Sequence, residues 1–168
     1  MKNSFDLSFE LSEESISNLR KNINKVQQEL EKSKEYILLA LADYTYEQVM
    51  KYVPKGHTGQ LVESIKKSSI LNDMIRVYTD LAYARYVEFG TGITGKSNPH
   101  PESSEWGWKY DVNEHGEKGW TYKASDGKFY WTDGQEGQEF MYKAWLDVKE
   151  HYLEIARKVL IERGLIKG

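Results

Sequence analysis

Cysteine is absent from the chain. Its absence removes disulfides, thiolate metal sites and cysteine nucleophiles together, and fits synthesis in a reducing cytoplasm. An excess of positive charge is also missing. With 23 Lys and Arg against 26 Asp and Glu the formal net charge is -3, so there is no broad basic footprint for gripping phosphate backbones. No apolar run approaches bilayer length, and the opening residues MKNSFDLSFEL are interrupted by Asp6 and Glu10 before they form an export core. A soluble protein with no export signal and no membrane contact is expected. Catalytic and metal signatures are equally scarce. His57, His100, His115 and His151 stand singly, and three of them fall in loops where solvated side chains are expected, so neither a metal nor a cofactor is expected. No G-x-S-x-G segment offers a serine nucleophile.

At 168 residues the chain is long enough for one domain with a real core and short for two, so a single domain over 1–168 is expected. One segment, GTGITGKS from Gly90 to Ser97, satisfies the phosphate-loop pattern G-x-x-x-x-G-K-[ST]. That chemistry needs a helix beginning at the Lys-Ser step, whose free N–H groups and positive end hold the phosphate. Here Asn98-Pro99-His100-Pro101 follows, and each proline pushes its predecessor out of helical dihedrals. Upstream, Tyr86-Val87-Glu88-Phe89 carries a carboxylate where a buried parallel strand would be apolar. The expectation is a flexible glycine-rich loop and no nucleotide hydrolysis.

Along the chain, Phe5, Leu7, Phe9 and Leu11 alternate with polar residues as in an edge strand. Ser12 then stands at a helix cap with Glu13 and Glu14 behind it, opening a long helix that Val53-Pro54-Lys55-Gly56 ends near Tyr52. Its apolar residues Ile16, Leu19, Ile23, Val26, Leu30, Ile37 and Ala40 recur at three-four spacing with a gap at Ser33. Such a stripe suits either a coiled coil between subunits or packing on the chain's own sheet, and the second is the simpler expectation. Thr58 caps a short helix carrying Leu61 and Ile65; strands over Ser69–Leu71 and Met74–Tyr78 flank an Asn72-Asp73 turn; a short helix over Ala82–Phe89 runs into the glycines. From Gln138 a helical pattern resumes through Phe140, Ala144, Val148, Tyr152, Ile155 and Val159, stopping near Gly164. The fold class read from this order is α+β, with long N- and C-terminal helices on a mostly antiparallel central sheet.

Residues 93–138 form an aromatic insertion holding four of the five tryptophans. Trp106, Trp108, Tyr110 and Val112 alternate, as do Trp120 with Tyr122 and Phe129 with Trp131, and Asp126-Gly127 is a hairpin turn, so a three-stranded meander is expected. A meander that small is marginal alone, which makes its aromatic face a candidate contact with another chain. The alternative is a sugar-binding face, or a glycosidase with Glu88 and Asp111 as its carboxylates, although nothing fixes their separation.

Three segments in order carry a resemblance: Thr58-Gly59-Gln60-Leu61-Val62-Glu63-Ser64-Ile65, Tyr83-Ala84-Arg85-Tyr86-Val87-Glu88-Phe89-Gly90-Thr91, and Phe140-Met141-Tyr142-Lys143-Ala144. They resemble the gene-product-ten-like family of phage minor capsid or tail-completion proteins, found in tailed phages and prophages where head meets tail. Its signature reads T-G-x-L-x-x-S-I, then Y-A-x-Y-V-E-F-G-T, then a phenylalanine opening the last helix. The resemblance covers roughly residues 5–165, and the middle motif is the most specific. It implies that Thr58, Gly59, Leu61, Ser64, Tyr83, Ala84, Tyr86, Glu88, Phe89, Gly90, Thr91 and Phe140 have structural roles. It also implies a non-enzymatic virion protein that assembles in the host cytoplasm, forms a homo-oligomeric ring in the neck, meets adaptor, stopper, tail-terminator or tail-tube proteins, and lets DNA pass without reading its sequence. The chain departs from the pattern in having Gly137-Gln138-Glu139 where the family usually has prolines, and in the aromatic insertion that many relatives lack. The role of the insertion is therefore not inherited from the resemblance.

Overall fold

The computed structural model describes residues 12–56, 58–111, 114, 119–124 and 126–167. The alternating segment Phe5–Leu11, together with His57, Val112, Asn113, His115, Gly116 and Ser125, lies outside them.

Helix α1 runs from Glu13 to Tyr52 and starts as its sequence requires, with the Ser15 N–H donating to Ser12 Oγ at 3.1 Å. Val53, the residue before Pro54, turns out of the helix with φ -62° and ψ 127°. Helix α5, Phe140–Glu162, lies antiparallel against it. Near the end of α1, Tyr52 donates its hydroxyl to Asp147 Oδ2 at 2.9 Å, and this bond, with Lys51 beside it, holds the Asp147 carboxyl below the usual range. Toward the other end, Arg163 just past α5 donates to Ser33 Oγ at 3.1 Å and to Glu29 at 3.2 Å. Because α5 stops there, the segment Glu13–Gln28 of α1 extends beyond it by roughly 24 Å.

The core gathers at the opposite end. Val49 and Val53 pack with Leu61 and Ile65, Ala84, Phe140 and Ala144. Leu61 comes from the short helix α2, Gln60–Glu63, and Ala84 from α3, Ala84–Phe89. The residue next to α2 is Gly59, at φ 68°, and Thr58 Oγ1 accepts only at 3.4 Å, so the expected threonine cap lies one residue further out. Ile65 falls just after the helix.

The strands form three two-stranded antiparallel sheets. Strand β1, Lys66–Lys67, pairs with β2, Val77–Tyr78. The turn stands where the Asn72-Asp73 dipeptide puts it, with φ 50° and 58°, but only the single Leu71–Met74 bridge flanks it directly, and the first strand lies ahead of the expected Ser69–Leu71. Strand β3, Gly90–Thr91, pairs with β6, Gly134–Glu136, and β4, Trp120–Lys123, pairs with β5, Phe129–Thr132. The α+β class with two long helices is as read from the sequence. Strands of two to four residues cannot cover a 40-residue helix, so the two long helices pack on each other where a central sheet was expected. The N-terminal part of the α1 stripe is correspondingly bare.

The expected strand over Trp106–Val112 is replaced, through Trp108, by turns after Pro101. The Trp106 N–H donates to Glu102 O at 3.1 Å and the Trp108 N–H to Ser103 O at 2.8 Å. These local bonds use the donors a ladder would need. The partner expected for that strand is also taken, because β4 and β5 close on each other around Asp126-Gly127.

Candidate functional site

The glycine motif is ordered. Gly92–Ser97 forms a short helix, α4, which corrects the expected flexible loop. Its glycines are packing residues. An added Cβ at Gly90 would lie 2.6 Å from the Gly137 nitrogen, and one at Gly95 would lie 2.9 Å from the Gly90 carbonyl carbon. Lys96 and Ser97 occupy the last turn of α4, the end that presents free carbonyls, opposite in polarity to a phosphate cradle. Ser97 Oγ donates to Ile93 O at 2.8 Å, and Asn98 leaves the helix at φ -130° and ψ 75°, as its position before Pro99 requires. Calorimetry on purified protein is expected to show no saturable ATP or GTP binding. Micromolar binding abolished by Lys96→Ala would contradict this.

Glu88 is the centre of the structure's polar interior. Its carboxylate accepts the Met141 N–H and the Tyr142 N–H at 2.9 Å each, which are free donors at the start of α5 and suit a negative charge. His100, 3% exposed, adds a third contact at 3.2 Å through Nε2. The Glu102 N–H donates to His100 Nδ1 at 3.0 Å, so Nδ1 is the acceptor and the ring proton sits on Nε2, facing Glu88. His100 was expected to be solvated; burial between Phe89, at 4.3 Å between ring centroids, and Tyr142, at 5.1 Å, corrects that. Apart from two prolines that stiffen the segment, no local sequence signal marks it. The Gly137-Gln138-Glu139 turn fixes the same junction: the Gln138 N–H donates to Val87 O at 2.7 Å and the Glu139 N–H to Glu88 O at 3.1 Å.

The aromatic insertion divides into two parts. Its root folds back on α3: Trp108 stacks on Phe89 at 5.1 Å, its indole N–H donates to Gly90 O at 3.1 Å, and the Tyr110 hydroxyl accepts the His100 N–H at 2.8 Å. Tyr86 also reaches Trp108, at 5.7 Å between centroids. The hairpin β4–β5 instead leaves Tyr122, Phe129 and Trp131 exposed. Its register, Tyr122 opposite Tyr130 and Trp131 opposite Thr121, puts Trp120 and Tyr122 on one face and Phe129 and Trp131 on the other. These aromatics therefore form no common sugar platform. Trp106, 74% exposed, borders a cavity of about 720 Å³ lined also by Phe89, Phe140, Met141, Tyr142 and Trp145. Two further lining residues, Glu102 and Glu105, share a hydrogen bond that, with burial, holds the Glu102 carboxyl above its ordinary range.

The hydrolytic alternative needs a carboxylate with a free oxygen. Both oxygens of Glu88 are spent on the start of α5, and Oε1 accepts from His100 as well. Among the described residues, no group of three or more His, Asp or Glu side chains could hold a metal ion, and no helix is long and apolar enough to cross a membrane.

Residues 17–90 match the family described as Bacteriophage HK97-gp10, putative tail-component. Over that segment the chain is similar to the HK97-gp10-like family. The match spans just under half of the chain and reaches from early α1 to the end of α3. No curated protein and no solved structure matches the chain. The HK97-gp10-like segment contains Thr58, Gly59, Leu61 and Ser64, and Tyr83, Ala84, Tyr86, Glu88, Phe89 and Gly90; Thr91 lies one residue beyond it, and Phe140 opens α5 well outside. Ser64 Oγ donates to Leu61 O at 2.7 Å and lies 2.6 Å from Thr79 Oγ1, fastening α2 to the segment that leads into α3. Phe140 is 1% exposed, and Ala84 is buried beside it in the core. The HK97-gp10-like part thus supplies Glu88, and the remainder supplies the side chain and backbone groups that Glu88 holds.

Proposed function

We propose that the chain is a structural protein of the phage head-tail joint, one domain with an inserted aromatic arm, assembling as a homo-oligomeric ring in the neck. DNA passes through the ring and is not read; the partners are neighbouring neck proteins of adaptor or stopper type and the tail terminator or tube. No catalytic step or cofactor is involved. The chain is made in the host cytoplasm and ends in the virion neck. The observation that carries this reading is the match of residues 17–90 to a phage tail-component family. The slight net negative charge suits a conduit, since a basic lumen would retain DNA through counterion release. Within this reading Thr58, Tyr83, Glu88, Phe140 and the other motif residues build the domain, while the hairpin aromatics Tyr122, Phe129 and Trp131 meet a neighbouring subunit or ring.

The experiment separates folding from assembly. Residues 121–131 are replaced by a short glycine-serine linker, which spares His100, Trp108, Tyr110 and the β3–β6 pair. The expected variant keeps its helical circular-dichroism signal and midpoint, yet fails to join purified heads to tails. Disruption of the whole gene is expected to leave separate filled heads and free tails in electron micrographs. Normal joined particles without the gene would defeat the neck reading; joining restored by the hairpin-less variant would defeat the role given to the hairpin.

A further inference from the structure

The end of α1 beyond α5 carries an apolar seam that no other described residue covers. Ile16, Leu19, Ile23, Val26 and Leu30 are 40 to 55% exposed. We propose that this segment pairs with the same segment of a second copy of the chain, as a parallel, in-register, two-stranded coiled coil over Ile16–Leu30. The inference rests on α1 alone and is independent of the neck reading.

Three observations select this occupant. First, the spacing is a strict alternation of three and four, which fits a facing helix with the same repeat, knobs into holes. In heptad terms Ile16, Ile23 and Leu30 take the a positions and Leu19 and Val26 the d positions; over Ile16, Leu19 and Ile23 the seam has isoleucine at a and leucine at d, the combination that favours two strands. Second, the seam continues into an interface already formed. From Ser33 onward the same face of α1 is covered by the α5 side, where Arg163 donates to Ser33 Oγ, and Ser33 is 1% exposed. The bare part is thus a helix-packing surface whose intramolecular partner ends about four turns short of the start of α1. Two copies would meet over Ile16–Leu30 and splay apart where each α5 takes over.

Third, the flanking charges choose the direction. A parallel in-register pair sets each g residue against the following e residue of the other copy, giving Ser15 with Arg20, Asn22 with Gln27 and Glu29 with Lys34. None of these is a like-charge pair, and the last is an ion pair. An antiparallel pair sets e against e, which is Arg20, Gln27 and Lys34, and g against g, which is Ser15, Asn22 and Glu29, so it gains no opposite charges. Glu29 and Lys34 already contact Lys32, Arg163 and Asp73 within the chain, but these pairs lie at the surface and exchange partners at little cost.

The test uses the full-length chain. Sedimentation equilibrium at micromolar concentration is expected to give a dimer, and Leu19→Glu combined with Ile23→Glu to give a monomer with an unchanged helical signal at the core end. The chain has no cysteine, so a single introduced thiol reports direction. Ile16→Cys should oxidise to a covalent dimer at least tenfold faster than Lys21→Cys, which occupies an f position on the far side of the helix. An antiparallel pair would set residue 16 against residue 30 and remove that advantage. A monomeric native chain, a dimer that survives the double glutamate variant, or equal rates for the two thiols would each overturn the proposal.

Discussion

Replacing Glu88 with alanine is expected to destabilise the folded chain by about 3 kcal/mol, measured as a lowered urea midpoint. The substitution removes one carboxylate and leaves three donors: the Met141 N–H, the Tyr142 N–H and the His100 Nε2–H. Each unpaired buried donor costs roughly 1 to 3 kcal/mol, but the adjoining cavity can admit water, so the total falls below the sum of three separate losses. Glu88→Gln is expected to lose about half as much, since one oxygen still accepts while the amide nitrogen faces a backbone N–H. An unchanged midpoint in the alanine variant would show that these bonds do not hold α5 in place.

The second large effect is expected at Gly134. It has φ 97°, and an added Cβ would approach the Thr91 carbonyl more closely than the 3.0 Å that real Cβ atoms keep, with backbone on both sides and nothing to rotate away. Gly134→Ala should therefore separate β3 from β6, at a cost of about 3 to 4 kcal/mol. Gly127 provides the control. It has φ 81° but nothing within 4 Å of the added Cβ, so Gly127→Ala carries the dihedral penalty alone, about 1 kcal/mol. Equal midpoint shifts for the two variants would mean that close approach of the strands is not what demands glycine at 134.

Features governed by neighbours along the chain are legible from the residues alone. Ser12 as a cap, Val53 leaving the helix ahead of Pro54, the Asn72-Asp73 turn and the Asp126-Gly127 hairpin are each decided within a few residues. Glu88 sits among aromatics, a costly place for a carboxylate unless it is bonded, and the N–H groups it accepts lie 53 and 54 residues further on. The failures share a cause. The acceptor for the Trp108 indole lies 18 residues away and the acceptor for His100 lies 12 away, so no local pattern separates these side chains from solvated ones. Alternation misleads over Trp106–Val112 because aromatics at every second position also suit a turn whose rings pack on different partners. The glycines of GTGITGKS mislead in the same way, since what crowds Gly90 and Gly92 arrives from residues 133–137.

Glu88 grips residues from both ends of one long excursion of the chain, His100 on the way out and Met141 with Tyr142 on the way back. The excursion is therefore a loop whose mouth is held shut at a fixed width. Lengthening such a loop adds only closure entropy, about 0.6 kcal/mol for each doubling, so its far end can gain or lose residues while both long helices stay where they are. A carboxylate in that position uncouples the size of the appendage from the stability of the body. The surface presented to neighbours can then be rebuilt in sequence and in length without redesigning the core that carries it.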